Sequence, residues 1–290
     1  MPLSPPSSAP ATPQPPVRLI VLAGQAPGTV DRLAERFAVS HRCLVPLAGK
    51  PLLAHVLQTA AEHPAITSLS VCVEREAFDP VWDMLTRLPG RGSVALVEAS
   101  DDLFESIRAA AEGWDGALLV TTADHALLST DAIDAMLAAL EGAQAAFTLA
   151  SRAAVEAIHP ARRHRLIRLR DGAFVPCDLY GLSSPDHLSA ASVFRGRRTD
   201  RLATRVLRAT GLFGLLLLWL GLETFPGAIA RISRRLKLKV RAVVLEDGLQ
   251  AFDVDDETSH AIVRALIESG QHTEAVSTAM MPPSQARAVA

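Results

Sequence analysis

Apolar runs and helical stretches alternate along most of this chain, and the alternation restricts the folds open to it. The run over 18–23, RLIVLA, is almost continuously apolar, which is typical of a strand buried on both faces of a parallel sheet. Further strands are predicted over 66–73, 93–97, 117–122, 145–149 and 240–246, and helices over 51–62, 79–88, 101–112, from 130 onward and over 257–269. Repeated βα units with short connections predict a Rossmann-like α/β fold with a doubly wound, mostly parallel sheet. Ligands of such sheets bind beyond the carboxyl ends of the strands.

The segment 152–241 interrupts this alternation. Two alternating stretches, 164–170 and 174–182, flank Gly172 and predict a hairpin, which would make the sheet mixed. The stretch 185–235 is predicted to be largely helical. The whole segment carries 18 Lys and Arg against 6 Asp and Glu, although the net charge of the protein is only -2. This basic, partly helical insertion could meet phosphates or anionic lipid, and a set of solvated helix faces would explain the charges equally well.

The chain ends and the cysteines indicate the organisation of the protein and its compartment. Residues 1–16 are rich in proline, with Ser, Thr and Ala between the prolines, and 270–290 has a similar character, so we expect flexible tails around one domain over 17–269. The apolar run over 212–222 is shorter than the roughly 18 residues that cross a bilayer, and no signal peptide is recognised. We therefore expect a cytoplasmic protein. Three isolated thiols favour a reducing compartment over disulfides or a zinc site: Cys43, Cys72 and Cys177.

Two candidate segments lie near the start of the chain. After the first strand, Leu22, Ala23, Gly24 and Gln25 form a turn whose backbone N–H groups could approach a triphosphate without a Cβ in the way. The second segment, RCLVPLAGKPLL, begins at Arg42, a cation that could neutralise phosphate charge. A structural turn and a surface arginine would explain these residues as well. Neither segment alone specifies a site.

Two further segments carry carboxylates. Asp124 ends the strand 117–122, a position where Mg²⁺ finds oxygen ligands beside nucleotide phosphates, and His125 is expected to line the cleft. Near the C-terminus, Asp253 and Asp255 alternate on a predicted strand and would share one face. The following Asp256 is expected to cap the last helix.

Together these segments resemble the MobA-like nucleotidyltransferases, an NTP transferase family with a GT-A-type fold. LAGQ at 22–25 resembles the opening L-A-G-G of that family, and RCLVPLAGKPLL at 42–53 resembles its L-x-P-L-x-G-K-P-L-L segment. The segments 120–124 and 253–260 resemble its V-x-x-x-D and its D-V-D ending. The resemblance covers about 17–269 and is loosest over 150–240. Gln25 replaces the second glycine of the family and Arg42 its lysine.

The resemblance implies transfer of a nucleoside monophosphate from a nucleoside triphosphate, with CTP or GTP favoured, to a phosphorylated small molecule or lipid precursor. Pyrophosphate would leave, and the reaction would depend on Mg²⁺. The implied catalytic residues are Arg42, Asp124 and Asp255, and the implied metal ligands are Asp124, Asp255 and Asp253. The implied nucleotide contacts are Leu22, Ala23, Gly24, Gln25 and Ser106. The segment 152–241 supplies the expected acceptor contacts, which are Asp178, Arg198 and Arg201.

Two other functions stay open. One is a GT-A-type glycosyltransferase on the same sheet, and the other is a catalytically weak, membrane-associated nucleotide-binding module, which the departures at Gln25 and Arg42 would suit. The basic segment beside the apolar run 212–222 is explained by a buried helix flanked by solvated charges, and it would also suit a peripheral position on an anionic membrane surface, at the inner membrane face. A homodimer could cover the same run. We expect no nucleic-acid partner.

Overall fold

The structure, a computed structural model, describes residues 15–25, 31–90, 92–160, 166–195 and 202–270. The strands are β1 Val17–Leu22, β2 Pro46–Leu47, β3 Lys50–Pro51, β4 Ile66–Val73, β5 Ser93–Glu98, β6 Ala117–Thr122, β7 Ala145–Ser151, β8 Ile167–Leu169, β9 Gly172–Leu182 and β10 Val240–Leu245. The α-helices are α1 Arg32–Arg36, α2 Leu52–Glu62, α3 Phe78–Leu85, α4 Leu103–Ala110, α5 Thr130–Leu140, α6 Arg152–Ile158, α7 Leu202–Trp219, α8 Phe225–Leu236 and α9 Glu257–Glu268.

An eight-stranded sheet has the order β10-β7-β9-β6-β1-β4-β5, with β8 added on β9. The pairs β1/β4, β1/β6, β4/β5 and β7/β10 are parallel, whereas β9 runs antiparallel to β6, β7 and β8. The predicted α/β fold with a mixed, mostly parallel sheet is therefore confirmed, as is the hairpin around Gly172. Because β1 lies between β4 and β6, its carboxyl end marks the point where the chain switches direction across the sheet.

Two apolar layers cover the sheet. On one face, α2, α3, α5 and α9 pack against β1, β4 and β6 through fully buried residues such as Leu53 and Val263. On the other face, α4 and α8 pack through residues that include Ile107 and Ile232. Strands β1 and β6 are covered on both faces, which explains why their sequences carry apolar residues without alternation.

The hairpin β2–β3 fixes the segment that contains Arg42. Its turn residues Ala48 and Gly49 both have positive φ, 45° and 87°, a backbone shape that favours glycine and explains the glycine in PLAGKP. His260 on α9 bonds the carbonyl oxygen of Pro46 at 2.8 Å through Nε2. The last helix therefore holds this hairpin against the body of the sheet.

The predicted helical stretch consists of a 3-10 helix over Pro185–Phe194 followed by α7 and α8. Gly211, with φ of 77°, breaks α7, so the long basic and apolar helix is kinked. Five large apolar side chains in and after α7 are exposed: Leu212, Leu216, Trp219, Leu220 and Leu222. Among the helices that the structure describes, none is both long and apolar enough to cross a membrane.

Three predictions from the sequence need correction. Residues 252–255 are extended but not paired as a strand, because β10 ends at Leu245 and a 3-10 helix over Gly248–Ala251 follows it. Helix α6 was not predicted from the sequence. Pro16, assigned to the proline-rich tail, accepts a hydrogen bond from Ala117 N–H at 3.0 Å and so joins the sheet one residue before β1.

Candidate active site

Two carboxylates meet at the carboxyl edge of the sheet, although 130 residues of chain lie between them. Asp124 follows β6, and Asp255 follows the 3-10 helix over Gly248–Ala251. The N–H of Val254 donates to the carbonyl oxygen of Asp124 at 3.1 Å, which ties the two segments together. The Ser259 hydroxyl accepts the N–H of Asp255 at 2.9 Å, and Asp256 caps α9, as the sequence predicts. Both carboxylates therefore project from fixed backbone.

Arg42 connects three acidic residues from distant parts of the chain. Its Nε and Nη2 each lie 2.7 Å from Oδ2 of Asp31. Its Nη1 lies 3.4 Å from Oδ2 of Asp124 and 3.5 Å from Oδ1 of Asp255. Asp31 thus holds the guanidinium through Nε and Nη2, whereas Nη1 makes longer contacts with the carboxylates of Asp124 and Asp255. Asp124 and Asp255 therefore each have a carboxylate oxygen within 3.5 Å of the same nitrogen.

The two aspartates that contact Arg42 most closely differ in electrostatics. Burial raises the pKa of Asp124, and the neighbouring Asp178 and Asp255 also raise it, whereas the Thr122 side chain and, more weakly, Arg42 lower it; the net shift is upward. Burial also favours a raised pKa at Asp31, but the bonds from Arg42 and from the amides of the first turn of α1 outweigh it and hold this pKa below its usual value. Asp31 is therefore favoured as an anion, whereas this environment disfavours the ionised form of Asp124.

The carboxylates suit a hard cation such as Mg²⁺. Oδ1 of Asp124 is buried and has no hydrogen bond of standard geometry to any residue in the described ranges. Two carboxylate oxygens are enough for Mg²⁺, which usually keeps several waters and takes phosphate oxygens as further ligands. In the part of the chain that the structure describes, no group of three or more His, Cys, Asp or Glu residues forms a metal site by itself. Any metal here would depend on substrate oxygens.

Asp178 and Asp253 lie beside this centre. The backbone oxygen of Asp178 accepts from the Thr121 hydroxyl at 2.7 Å, and its carboxylate accepts from the Tyr180 hydroxyl at 3.2 Å. Burial raises the pKa of the Cys177 thiol, and the nearby Asp253 contributes to the shift. Asp178, Asp253 and Asp255 all line one cavity.

The turn after β1 is partly occupied by protein contacts. The N–H of Ala23 donates to the Cys72 carbonyl at 2.8 Å, so it is not available to a ligand. The N–H of Gln25 donates to the Glu74 carboxylate at 2.7 Å, and the Gln25 amide donates to the Ser40 carbonyl at 3.3 Å. Leu22 is buried, and Gly24 is half-buried. The N–H of Gln25, which was expected to approach a phosphate, therefore already donates its hydrogen bond to Glu74.

Ser106 does not face the cleft as expected. Its side chain is buried, and its hydroxyl accepts the N–H of Ser100 at 2.9 Å, which fixes the loop between β5 and α4. The hydroxyl points inward because the first turn of α4 packs onto the sheet through Phe104 and Ile107. Ser106 can shape this loop but cannot contact a base directly in this arrangement.

His125 is a buried neutral residue rather than a ligand facing the cleft. Burial lowers the pKa of His125 to about 4. Its Nδ1 lies 3.1 Å from the Thr121 hydroxyl, which already donates its proton to the carbonyl of Asp178. Nδ1 therefore carries the proton and donates it to Thr121.

Asp31 and Glu74 lie in this centre but were not among the residues predicted from the sequence. Asp31 precedes a five-residue helix and accepts hydrogen bonds from the N–H groups of Leu33 and Ala34, so its helix cap was a readable signal. Glu74 follows β4 at the same sheet edge as Asp124, which the strand-end rule could have indicated. The predicted acceptor contacts Arg198 and Arg201 lie outside the described residues.

A doubly wound, mostly parallel sheet with an arginine and carboxylates at its carboxyl edge has the architecture of the nucleotidyltransferase class. The family model for the MobA-like NTP transferase domain matches residues 19–175. The chain therefore belongs to the MobA-like NTP transferase family, and nucleotidyl transfer is the activity of that class. The matched region includes Arg42 and Asp124 but ends before Asp178, Asp253 and Asp255.

Known proteins agree with this assignment. The bifunctional protein GlmU of Clavibacter sepedonicus is 31% identical over 167 residues, which are 55% of this chain and 31% of GlmU. The match thus spans about a third of that relative. A hypothetical transferase from Thermus thermophilus is 26% identical, with a TM-score of 0.65 over 85% of this chain and 100% of that one. The 4-diphosphocytidyl-2C-methyl-D-erythritol synthase of Anaerococcus prevotii, at 12% identity, a TM-score of 0.54 and coverage of 88% and 96%, supports the fold alone.

The opposite pKa shifts of Asp124 and Asp31 predict opposite effects of removing their charges. A raised pKa means that ionised Asp124 opposes folding at neutral pH, so Asp124→Asn should unfold at an equal or higher urea concentration at pH 7 in EDTA. This advantage should disappear as the pH falls through the raised folded pKa, because the wild-type carboxyl is then protonated.

Asp31→Asn is the matched control. A lowered pKa means that Asp31 stabilises the fold above the usual aspartate pKa, and this stability is lost as the pH falls. Asparagine keeps the helix cap but loses the charge, so we expect a loss of about 1–3 kcal/mol at pH 7. A large loss of stability in Asp124→Asn at pH 7 would contradict this account of the centre.

Proposed function

We propose that this protein transfers a nucleoside monophosphate from a nucleoside triphosphate to a phosphorylated acceptor, with release of pyrophosphate. The observation that carries the proposal is the position of Arg42 between Asp124 and Asp255 at the carboxyl edge of the sheet. Family membership supports the same reaction class. We also propose that 17–269 forms one domain, since the described elements run from Val17 to Glu268.

The chain would hold Mg²⁺ through Asp124 and Asp255, with Asp253 nearby, and the ion would supply charge neutralisation between the two phosphorylated substrates. Arg42 keeps its orientation through two 2.7 Å contacts with Asp31. Because the guanidinium is planar and two of its nitrogens are held by Asp31, Nη1 stays in place, where it could also donate a hydrogen bond to a phosphate oxygen. Arg42 would then offset the charge that develops on the departing pyrophosphate.

CTP or GTP remains the expected donor. The Anaerococcus protein, which shares the fold of this chain, is named as a synthase of a diphosphocytidyl compound. Glu74, bonded to the N–H of Gln25, lies at the nucleotide turn, and a carboxylate accepts hydrogen bonds from the amino groups of cytosine, guanine and adenine, so this contact would disfavour a uracil base. A base without an amino group would lack this donor.

Pyrophosphate release with each nucleoside triphosphate, Mg²⁺ and a panel of phosphorylated acceptors tests the reaction. Arg42→Ala should lose on the order of 10²-fold or more in rate, as removal of one transition-state donor commonly does, whereas Arg42→Lys should retain activity. Asp124→Asn should abolish turnover while the protein stays folded.

Arg36→Ala is the matched control for Arg42, because Arg36 pairs with Glu257 on the exposed surface. It should leave the rate unchanged. Sugar transfer without pyrophosphate release would favour the glycosyltransferase instead. Full activity in Arg42→Ala would remove Arg42 from the mechanism, and nucleotide binding without turnover would favour the binding module.

We also propose that the protein is cytoplasmic and associates with an anionic membrane surface. The exposed apolar face of α7 includes Leu216 and Trp219. In α8 and just after it, four basic residues are exposed: Arg234, Arg235, Lys237 and Lys239. An apolar surface beside positive charge suits the interface of an anionic bilayer.

Liposome flotation tests the membrane proposal. The protein should float with anionic vesicles at low salt and not with neutral ones, because salt screens the attraction within a Debye length. Trp219→Ser should weaken flotation, whereas Trp82→Ser, at an exposed tryptophan on α3, should not. Absence of flotation, together with a dimeric mass in light scattering, would assign the apolar face to a homodimer.

A further inference from the structure

A cavity of about 410 Å³ opens beside the carboxylates and extends beneath the helical insertion. Its volume falls within the roughly 300–1,000 Å³ of small-molecule sites. Strands β7 and β9 form its floor, and residues of α7 and α8 form its cover, among them Leu218, Ile229 and Ile232. The cavity therefore joins the candidate active site to the segment that lies beyond the matched family region.

The chemistry of the cavity changes along its length. One end carries the carboxylates Asp178, Asp253 and Asp255. Away from that end the lining is apolar, apart from hydroxyls that already have partners. Those of Thr148 and Thr210 donate to backbone carbonyls, and that of Tyr180 donates to Asp178.

A fully polar acceptor would fit this cavity poorly. Hydroxyl or amide groups placed against Phe174, Ile229 and Ile232 would lose their water without gaining hydrogen bonds, which is costly. An aliphatic chain loses nothing there and gains from burial. The polar end offers carboxylates, and these would hold the cation that a phosphate group needs.

We propose that this cavity binds the aliphatic chain of the acceptor, and that the acceptor is a single-chain amphiphile carrying a phosphomonoester. This inference rests on the proposed function, whose acceptor class it defines. The phosphate lies at the carboxylate end and the chain extends beneath α7 and α8. In the reaction, a phosphomonoester oxygen forms a bond to the α-phosphorus of the nucleoside triphosphate. The bond from that phosphorus to the bridging oxygen breaks, and pyrophosphate leaves with the electron pair.

Calorimetric binding of ethyl, butyl, hexyl and octyl phosphate to the full-length protein, with MgCl₂ and without nucleotide, tests the assignment. All are used as monomers, below micelle formation. Each added methylene should tighten binding roughly fourfold until the cavity is filled, because burial of one methylene is worth about that factor. Affinity independent of chain length, or no binding of any member, would overturn the proposal.

Ile229→Trp fills the cavity and should abolish the gain with chain length. Ala230→Trp, on the exposed side of the same helix, is the matched control and should keep it. Equal loss in both variants would overturn the assignment. A circular dichroism spectrum and a cooperative thermal unfolding transition like those of the wild type check the folding of both variants, and Ile229→Phe replaces the tryptophan variant if that one fails to fold.

The two proposals fail differently. Chain-length dependence without nucleotide binding or pyrophosphate release would refute the proposed reaction and leave the cavity assignment intact. Pyrophosphate release with short polar phosphates, together with an affinity that does not change with chain length, would refute the cavity assignment and leave the proposed reaction intact.

Discussion

The ion pair between Asp31 and Arg42 is the interaction on which the site depends. Two contacts of 2.7 Å fix the plane of the guanidinium, so that Nη1 lies between Asp124 and Asp255. Without a cation at this point, two carboxylates on adjoining loops would repel each other at low dielectric, and one would take up a proton. Arg42 therefore offsets part of the negative charge of the two carboxylates.

The sequence was sufficient for the sheet and for the positions of the site carboxylates. Strands β1, β4 and β6 are buried on both faces, so their apolar runs are nearly uninterrupted and their ends are sharp. Asp124 follows such an end directly, and parallel strands deliver their carboxyl ends to one edge. For Asp255 the predicted strand is absent, because residues 252–255 are not paired, so the resemblance to the D-V-D motif indicates its position better than strand geometry does.

Other features depend on packing between distant segments and could not be read from local pattern. Ser106 lies at the predicted position, but the packing of α4 turns its hydroxyl inward. The attachment of Glu74 to the N–H of Gln25 joins two loops separated by 49 residues. The cavity beneath α7 and α8 arises only when the insertion folds over β7 and β9. An apolar run such as 212–222 shows a surplus of apolar surface, but not which part of it lines a cavity.

The most direct test of the central claim is an electron paramagnetic resonance titration of Mn²⁺, in place of Mg²⁺, into the full-length protein with saturating CTP or GTP. The account predicts one bound Mn²⁺ per chain, and binding weakened roughly tenfold or more in both Asp124→Asn and Asp255→Asn, since each removes an oxygen ligand. Mn²⁺ affinity that is unchanged in both variants would place the metal elsewhere and contradict the account.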